Sequence, residues 1–516
     1  MTSTRRNRLI VVSNRLPFAL SHSPDGSPSV RPGSGGLVTA LLPVLRNRGG
    51  TWLGWPGTSE EIPRLRTAVA RASRDLGCTF VPITISRSEY EQYYLGYSNE
   101  SIWPLFHDLP SQCRFDPPYW QAYGEVNRRF AEQTARIASP DDFIWVHDYQ
   151  LMMVGAELRR LGRFQTLAFF LHIPFPAPDI FMKLPERLTL LRGLLEFDLL
   201  GFQTQRDRRN FIQCVRQLIR GTKVRAVGSL HRVWLDEREV HLGAFPISID
   251  YAWFSRRASE RDTRREAAKI RQNLAGRHII LGVDRLDTTK GIPHRLEAFH
   301  RFLIQHPEIH GKVNLIQVVV PSRTGIPTYD ALKEEIERLV GRINGEFTRC
   351  GWVPVHYMFR GLPATDLLAY YRASHAALVT PLKDGMNLVA KEYCTCNEKA
   401  RGVLILSQFA GVSAELGRQS LVVNPNDVQQ TADAIWQAIT MPEDERHERM
   451  RRMRRVIRTH DIFWWVDSFM RAAIDRQLHD FPVLDDYIPE LEDTGNDAWG
   501  GISPDQFGPV PEMSER

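Results

Sequence analysis

The chain has 516 residues, of which 43% are hydrophobic and 24% are charged, and it contains six scattered cysteines. These proportions exclude a disordered chain, a collagen-like chain and a disulfide scaffold. We expect no membrane-spanning helix because no run of about 18 apolar residues occurs, and the apolar stretch at residues 9–12 is too short for a signal peptide. The sequence therefore predicts a cytoplasmic protein with no membrane partner.

The net charge of +6 is unevenly distributed along the chain. Residues 484–516 hold nine acidic residues and one basic residue, a net charge of −8, and are rich in Pro and Gly, so we expect a poorly ordered tail. An arginine-rich stretch at 446–458 is interpreted as a solvated helix face, because no nucleic-acid motif accompanies it. We expect no nucleic-acid partner, and the positive body favours a small phosphorylated substrate.

Short β-branched runs alternate with longer helical patterns through the first half of the chain. This alternation is typical of βαβ units and a mostly parallel sheet. The predicted strands lie at residues 9–13, 51–55, 80–85, 143–147, 166–172 and 199–203, and the clearest helices at 36–48, 119–137 and 151–161.

The same alternation starts again after residue 250. A charged helix is predicted at 260–275, and strands at 278–283, 313–320, 355–359, 376–380, 403–407 and 421–423. The sequence thus predicts an α/β protein with two Rossmann-like domains, residues 1–250 and 251–483, a linker near 249–255, and the tail at 484–516. A final helix at 463–478 has an aromatic face, which is a candidate for packing back on the first domain.

The first strand leads into Arg15 and then into a glycine-rich loop, Gly33-Ser34-Gly35-Gly36, ahead of an apolar helix. Free backbone N–H groups and the helix dipole at such a place favour a phosphate. The dinucleotide fingerprint is not met, because Val38 stands at the third glycine position. The loop is therefore either an anion site or a tight turn, and Arg15 at a strand end favours the former.

Two segments of the second half carry charged residues just after predicted strands. Arg285 and Lys290 follow the first of these strands, either as a diphosphate clamp or as surface salt-bridge partners. Asp384 and Gly385 follow a later strand and open a helix, and Glu392 lies two turns further on the same face. A carboxylate there could accept hydrogen bonds from two vicinal hydroxyls, as on a ribose.

Polar residues also end two strands of the first half, at His147-Asp148 and at His172. Two such strands at one sheet edge favour a site lining over satisfied core histidines. No P-loop, H-E-x-x-H, G-x-S-x-G or paired C-x-x-C occurs, and no D-x-D pattern suggests a metal-held diphosphate. We therefore expect no metal and no cofactor, with charge neutralised by Arg, Lys and helix termini.

Long motifs in both halves resemble the trehalose-6-phosphate synthase family. They include Val-Ser-Asn-Arg-Leu-Pro at 12–17, Trp-Val-His-Asp-Tyr-Gln-Leu at 145–151, Arg-Leu-Asp-x-x-Lys-Gly at 285–291 and Asp-Gly-Met-Asn-Leu-Val-x-Lys-Glu-Tyr at 384–393. The resemblance implies two facing Rossmann-like domains of GT-B type with the active site in the cleft between them. It also implies a retaining hexosyltransferase, which moves glucose from UDP-glucose to glucose-6-phosphate and gives α,α-trehalose 6-phosphate.

The resemblance also implies a role for each matching residue. The catalytic set is His172, Arg285, Lys290 and Asp384. The donor-binding set is Gly36, His172, Arg285, Lys290, Asp384, Gly385, Met386, Asn387, Leu388 and Glu392, with Glu392 on the ribose. The acceptor-binding set is Arg15, Tyr94, Trp103, Asp148 and Arg323.

Three alternatives remain open at this point. Some relatives use glycerol-3-phosphate as the acceptor and make glucosylglycerol phosphate, and others are non-catalytic regulatory subunits. The donor nucleotide could also be ADP or GDP. A homo-oligomer, either a dimer or a tetramer, is compatible with the resemblance.

Overall fold

The structure is a computed structural model, which describes residues 8–22, 28–32, 38, 41–42, 44–46, 50–58, 65–322, 327–399 and 401–475. Three predictions from the sequence lie outside the described residues: the glycine loop with Gly36, the acceptor residue Arg323, and the acidic tail at 484–516.

The first half of the chain forms a nine-stranded sheet in the order β5-β4-β1-β6-β7-β8-β11-β10-β9. Neighbouring strands of this sheet are parallel, except that β10 runs antiparallel to β9 and β11. The strands are β1 Leu9–Arg15, β4 Gly50–Trp55, β5 Thr79–Pro82, β6 Phe143–His147, β7 Thr166–Phe170, β8 Leu199–Phe202, β9 Lys223–Val227, β10 Leu230–Leu235 and β11 Arg238–Ala244. A separate hairpin joins β2 Phe18–His22 to β3 Pro28–Pro32.

The second half forms a six-stranded, all-parallel sheet in the order β14-β13-β12-β15-β16-β17. Its strands are β12 His278–Arg285, β13 Val313–Val320, β14 Val355–Phe359, β15 Ala376–Val379, β16 Val403–Ser407 and β17 Leu421–Val423. The predicted α/β class with two mostly parallel sheets is confirmed.

Helices connect the strands of both sheets. The longer ones are Leu65–Leu76, Pro117–Ile137, Val154–Arg160, Arg187–Leu194, Gln205–Leu218, Tyr251–Ser259, Arg261–Asn273, Ile292–Gln305, Pro327–Phe347, Ala364–Ala373, Leu388–Cys396, Val428–Thr440, Glu443–Thr459 and Ile462–Asp475. Shorter turns of helix are Arg87–Glu89, Trp103–Phe106, Pro178–Phe181 and Ser413–Leu416, a π-helix spans Tyr90–Ile102, and 3-10 turns lie at Pro110–Gln112, Tyr149–Leu151, Thr288–Lys290, Pro307–Ile309 and Gly417–Gln419. None of the described helices is long and apolar enough to cross a membrane.

Each sheet has one point at which its strand order reverses. In the first sheet this point lies between β1 and β6, and in the second it lies between β12 and β15. Ligands of open α/β sheets bind just outside the carboxyl ends of the strands at such points. Arg15, Asp148, Arg285 and Asp384 all lie at or just after the carboxyl ends of these four strands.

The last helix, Ile462–Asp475, packs on the first sheet. The rings of Trp465 and Phe469 stack on Trp145 of β6, with centroids 5.2 and 4.3 Å away. The indole N–H of Trp465 also donates to the carbonyl of Phe245, at 3.0 Å. The helix that ends the described chain therefore ties the second half back to the first.

The residues predicted as a linker do not form an open connection. Tyr251–Ser259 is a helix, and the Asp250 side chain caps it by accepting a hydrogen bond from Trp253 N at 2.8 Å. The helix is short, and it follows residues 245–249, all of which are buried.

Candidate active site

The two halves meet at the carboxyl ends of β7 and β15, where Gly385 faces His172. A Cβ atom on Gly385 would overlap the carbonyl oxygen of His172 and lie 3.1 Å from the Cα of Ile173. Only a residue without a side chain allows the two backbones to approach so closely. The glycine of the predicted donor loop is therefore part of the contact between the two halves.

Lys290 and Asp384 form a largely buried ion pair within the predicted donor site. Their Nζ and Oδ2 atoms are 2.5 Å apart, and the side chains are only 9% and 15% exposed. Asn387 also donates to Asp384 Oδ2, at 3.1 Å. Burial alone would raise the pKa of Asp384, but the Lys290 charge outweighs it and holds that pKa below the ordinary value. The Asp384 carboxyl is thus ionised at neutral pH.

The loop that carries Asp384 is fixed by the loop after β16. Asp384 N donates to Phe409 O at 3.2 Å, and Gly411 N donates back to Asp384 O at 3.1 Å. Asn387 has a φ of 83°, in the left-handed region, and its side chain accepts from Ala390 N as the cap of the next helix. Strain of this kind persists only where the surroundings impose the conformation, and it is common at binding sites.

The helix begins later than the sequence suggested. It spans Leu388–Cys396, so Gly385, Met386 and Asn387 lie in the loop before it and not in its first turn. The prediction that Glu392 lies two helical turns from Gly385 is therefore wrong. An Asp-Gly pair after a strand indicated the turn correctly, but the left-handed residue that ends the turn is Asn387.

Glu392 is held by a tyrosine from the neighbouring helix. Its Oε2 atom accepts a hydrogen bond from the Tyr371 hydroxyl at 2.8 Å. Burial raises the pKa of Glu392, and the tyrosine hydrogen bond only partly offsets this. The carboxylate is therefore oriented by a neutral donor, which leaves it suited to accept hydrogen bonds from hydroxyl groups.

Asp148 links the end of β6 to the loop after β7. Its Oδ1 atom accepts from Tyr149 N at 3.0 Å and from His172 N at 3.2 Å. Asp148 has a φ of 76°, another left-handed conformation at the site. Burial lowers the pKa of His172 to about 3, so its imidazole is neutral at physiological pH.

Trp103 connects the predicted acceptor side to the predicted donor side. Its indole N–H donates to Asp287 Oδ1 in the second half, at 3.4 Å. The Cζ atom of Arg285 lies 6.0 Å from the Trp103 ring centre, at the outer limit of a cation–π contact. Arg285 is exposed, unlike Lys290, so the two predicted donor cations differ in environment.

Arg15 lies between two aromatic rings of the first half. Its Cζ atom is 4.7 Å from the Trp55 ring centre and 5.7 Å from that of Tyr94. Tyr94 in turn stacks on Tyr90, with centroids 5.2 Å apart. The structure therefore brings Arg15 and Tyr94 together, as the acceptor prediction requires.

Several residues that line or brace this cleft were not predicted from the sequence. Lys383 Nζ lies 2.5 Å from Asp108 Oδ2 across the two halves, and the His107 ring packs on Trp103 with centroids 4.2 Å apart. Lys391 and Glu415 form a fully buried ion pair, and Lys391 also donates to Ile247 O at 3.0 Å. Lys383 and Lys391 lie within the motif at 384–393 or next to it, which is the one signal that could have indicated them.

No group of three or more His, Cys, Asp or Glu side chains that could hold a metal ion occurs in the part of the chain that the structure describes. The described part of the site contains positive side chains, a paired carboxylate and closely approaching loop backbones. This arrangement suits a sugar bonded to an anionic leaving group.

Two α/β halves, each with a reversal point in its sheet, meet through the loops after β7 and β15 and have the GT-B type of fold that many glycosyltransferases share. The chain belongs to glycosyltransferase family 20, whose sequence profile matches residues 7–475. It is 44% identical over 473 residues to a trehalose-6-phosphate synthase of Mycolicibacterium vanbaalenii, which covers 91% of this chain and 96% of that relative.

Solved structures agree with this assignment. An α,α-trehalose-phosphate synthase (UDP-forming) from Burkholderia xenovorans, in complex with glucose-6-phosphate, has a TM-score of 0.81 and 34% identity, covering 91% of this chain and 100% of that one. An E. coli structure of the same group, bound with UDP-2-fluoro glucose, has a TM-score of 0.80 and 35% identity, covering 90% and 99% of the two chains.

Proposed function

We propose that the chain transfers glucose from UDP-glucose to glucose-6-phosphate, with retention of the anomeric configuration, and gives α,α-trehalose 6-phosphate and UDP. The observation that carries this is the buried Lys290–Asp384 ion pair in the cleft of a chain 44% identical to a trehalose-6-phosphate synthase. Relatives of known structure bind glucose-6-phosphate and a UDP-glucose analogue.

On the donor side we assign the diphosphate to Arg285, Lys290 and Gly36. Lys290 is already fixed by Asp384, so its charge is preorganised and costs little reorganisation when negative charge develops on the leaving group. Glu392 would accept from the ribose hydroxyls. His172, Asp384 and the loop backbone of Gly385, Met386, Asn387 and Leu388 would hold the glucose.

On the acceptor side we assign the phosphate to Arg15, Tyr94 and Arg323, and the sugar to Trp103 and Asp148. A guanidinium can bind a phosphate bidentately through two charge-assisted hydrogen bonds. The Trp55 and Tyr94 rings hold Arg15 at the carboxyl end of β1. Recognition through the phosphate would make free glucose a very poor acceptor.

The chemistry fits a reaction without a protein nucleophile. Asp384 is engaged by Lys290, and His172 is neutral with a strongly lowered pKa. We propose that the acceptor hydroxyl attacks the same face that the diphosphate leaves, and that a phosphate oxygen of the leaving group accepts its proton. The protein then contributes mainly electrostatic stabilisation of that leaving group.

Turnover of purified protein with UDP-glucose and glucose-6-phosphate tests this proposal. We expect UDP release together with a new pair of α-anomeric proton signals in the NMR spectrum of the product. A folded protein that releases no UDP, or that gives a β-linked product, would contradict it. Arg285→Ala, whose folding can be checked independently, serves as the low-activity control.

The cytoplasmic location and the dimer or tetramer expected from the sequence remain parts of the proposal. Cell fractionation would test the first, and mass photometry of the purified protein would test the second.

A further inference from the structure

Two histidines share a hydrogen bond at the edge of the first sheet. His147 ends β6 and is fully buried, and His172 follows β7 and is partly exposed. The Nδ1 atom of His147 lies 3.2 Å from the Nε2 atom of His172. A nitrogen of one imidazole must therefore carry the proton, and the facing nitrogen must accept it.

Both rings lie among aromatic side chains. His147 packs on Trp145 with centroids 4.7 Å apart, and His172 packs on Phe170 at 4.7 Å and on Trp465 at 6.3 Å. Burial lowers the pKa of His172 to about 3 and that of His147 well below its ordinary value. Both imidazoles are thus neutral at pH 7, and each carries a single N–H.

Only two proton arrangements are consistent with this contact. In one, His147 donates from Nδ1, and its Nε2 is a bare acceptor. In the other, His172 donates from Nε2, and His147 carries its proton on Nε2. The Nε2 atom of His147 is buried and has no hydrogen-bond partner among the described residues. A buried N–H without an acceptor is rarer and costlier than a buried acceptor without a donor, which favours the first arrangement.

We infer that His147 is a positioning residue that fixes the tautomer of His172, so that His172 presents an Nδ1–H donor to the donor glucose. The inference rests on the proposed role of His172 at that sugar. The Asp148 side chain accepts a hydrogen bond from the backbone N–H of His172. The backbone and the ring of His172 are therefore both held by residues at the end of β6. Without His147, the ring could rotate or carry its proton on Nε2, and a glucose hydroxyl would lose its donor.

The tautomer can be read directly in the full-length protein by ¹⁵N NMR with labelled histidine. A protonated and a bare imidazole nitrogen have well-separated ¹⁵N shifts, and His172→Ala and His147→Phe assign the two signals. We expect His147 and His172 both to carry the proton on Nδ1. A proton on Nε2 of His172 would overturn the inference, and this readout does not depend on catalysis.

Kinetics provide the second test. His147→Phe keeps a ring in the aromatic cluster but removes the donor, so we expect kcat/KM for UDP-glucose to fall about tenfold, as for loss of one oriented hydrogen bond. His147→Asn keeps an N–H near the Nδ1 position and should recover most of this loss. A loss that is equal in both variants would overturn the inference.

A double-mutant cycle shows whether His147 acts through His172. In a His172→Ala background, His147→Phe should change kcat/KM by less than twofold, because the donor it orients is gone. A full tenfold loss in that background would assign His147 a purely structural role and overturn the inference. If His172→Ala alone leaves turnover within threefold of the parent, the proposed contact of His172 with glucose fails instead, and the ¹⁵N result still decides the tautomer.

Discussion

Gly385 of the second half lies directly against the backbone of His172 in the first half. This contact joins the loop that carries Asp384 to the loop that follows β7, and it leaves no space for a Cβ atom. The next loop is equally close, since a Cβ on Gly411 would overlap the carbonyl oxygen of Gly385. The donor loop is therefore held between two neighbouring backbones.

Gly385→Ala should lower kcat/KM strongly while the protein stays folded. The new methyl group would push the donor loop away from His172, and a misplacement of about 1 Å can cost roughly 10²-fold in rate. Gly345→Ala is the matched control, because no atom outside its own helical segment lies within 4 Å of its Cβ position in the helix Pro327–Phe347. Steady-state kinetics and melting curves of both variants make the comparison. Turnover of Gly385→Ala within threefold of the parent would mean that the close approach is not needed.

Arg285→Ala should reduce kcat/KM by roughly 10²-fold, about 3 kcal/mol, as expected for loss of one charge-stabilising group. Its melting temperature should stay close to that of the parent, because an exposed cation contributes at most about 1 kcal/mol to stability. Arg192→Ala, at an exposed position of the helix Arg187–Leu194, is the control and should be fully active. An active Arg285→Ala protein would show that this guanidinium does not face the diphosphate.

Arg15→Ala should raise KM for glucose-6-phosphate more than KM for UDP-glucose. Its guanidinium lies between Trp55 and Tyr94 on the acceptor side. Arg15 ends a strand of the first sheet, whereas Lys290 and Asp384 follow strands of the second. Initial rates with each substrate varied in turn give both constants. Equal increases in the two values would argue against an acceptor role, and Arg15→Lys should show an intermediate effect, because it keeps the charge but loses the bidentate geometry.

Activity should not require a divalent metal ion. Arg285 and Lys290 are proposed to neutralise the leaving diphosphate, a task that Mg²⁺ performs in many other enzymes. The initial rate should therefore stay within about twofold of its starting value in excess EDTA. A loss of activity that Mg²⁺ or Mn²⁺ restores would contradict this assignment.

Much of the fold could be predicted from periodicity alone. The buried runs of β1, β6, β7, β12 and β13 are almost continuously apolar, which is typical of parallel strands covered on both faces. β9, β10 and β11 were not predicted. In β9 charged and apolar residues alternate at 223–226, but this pattern is short, and four of the five residues are exposed. The π-helix Tyr90–Ile102 was missed because its hydrogen-bond pattern has no simple sequence period.

The candidate site, too, could be predicted only in part from the sequence. Residues at strand ends, such as Asp148 and Arg285, could be placed from the sequence, because parallel strands bring their carboxyl ends to one edge. The contacts between halves, Gly385 with His172 and Lys383 with Asp108, could not, because they join segments that are distant in sequence. Nor could the late start of the helix at Leu388, since it depends on the left-handed conformation of Asn387.

The most direct test of the account is to identify the product in a matrix of donors and acceptors. UDP-, ADP- and GDP-glucose would each be incubated with an equimolar mixture of glucose-6-phosphate and glycerol-3-phosphate, and the products identified by mass spectrometry. The account predicts trehalose 6-phosphate, a phosphorylated disaccharide of two hexoses, formed fastest from UDP-glucose, with glycerol-3-phosphate left unused. Glucosylglycerol phosphate as the main product would contradict the proposed acceptor, and no product from any pair would contradict the proposal of an active glucosyltransferase.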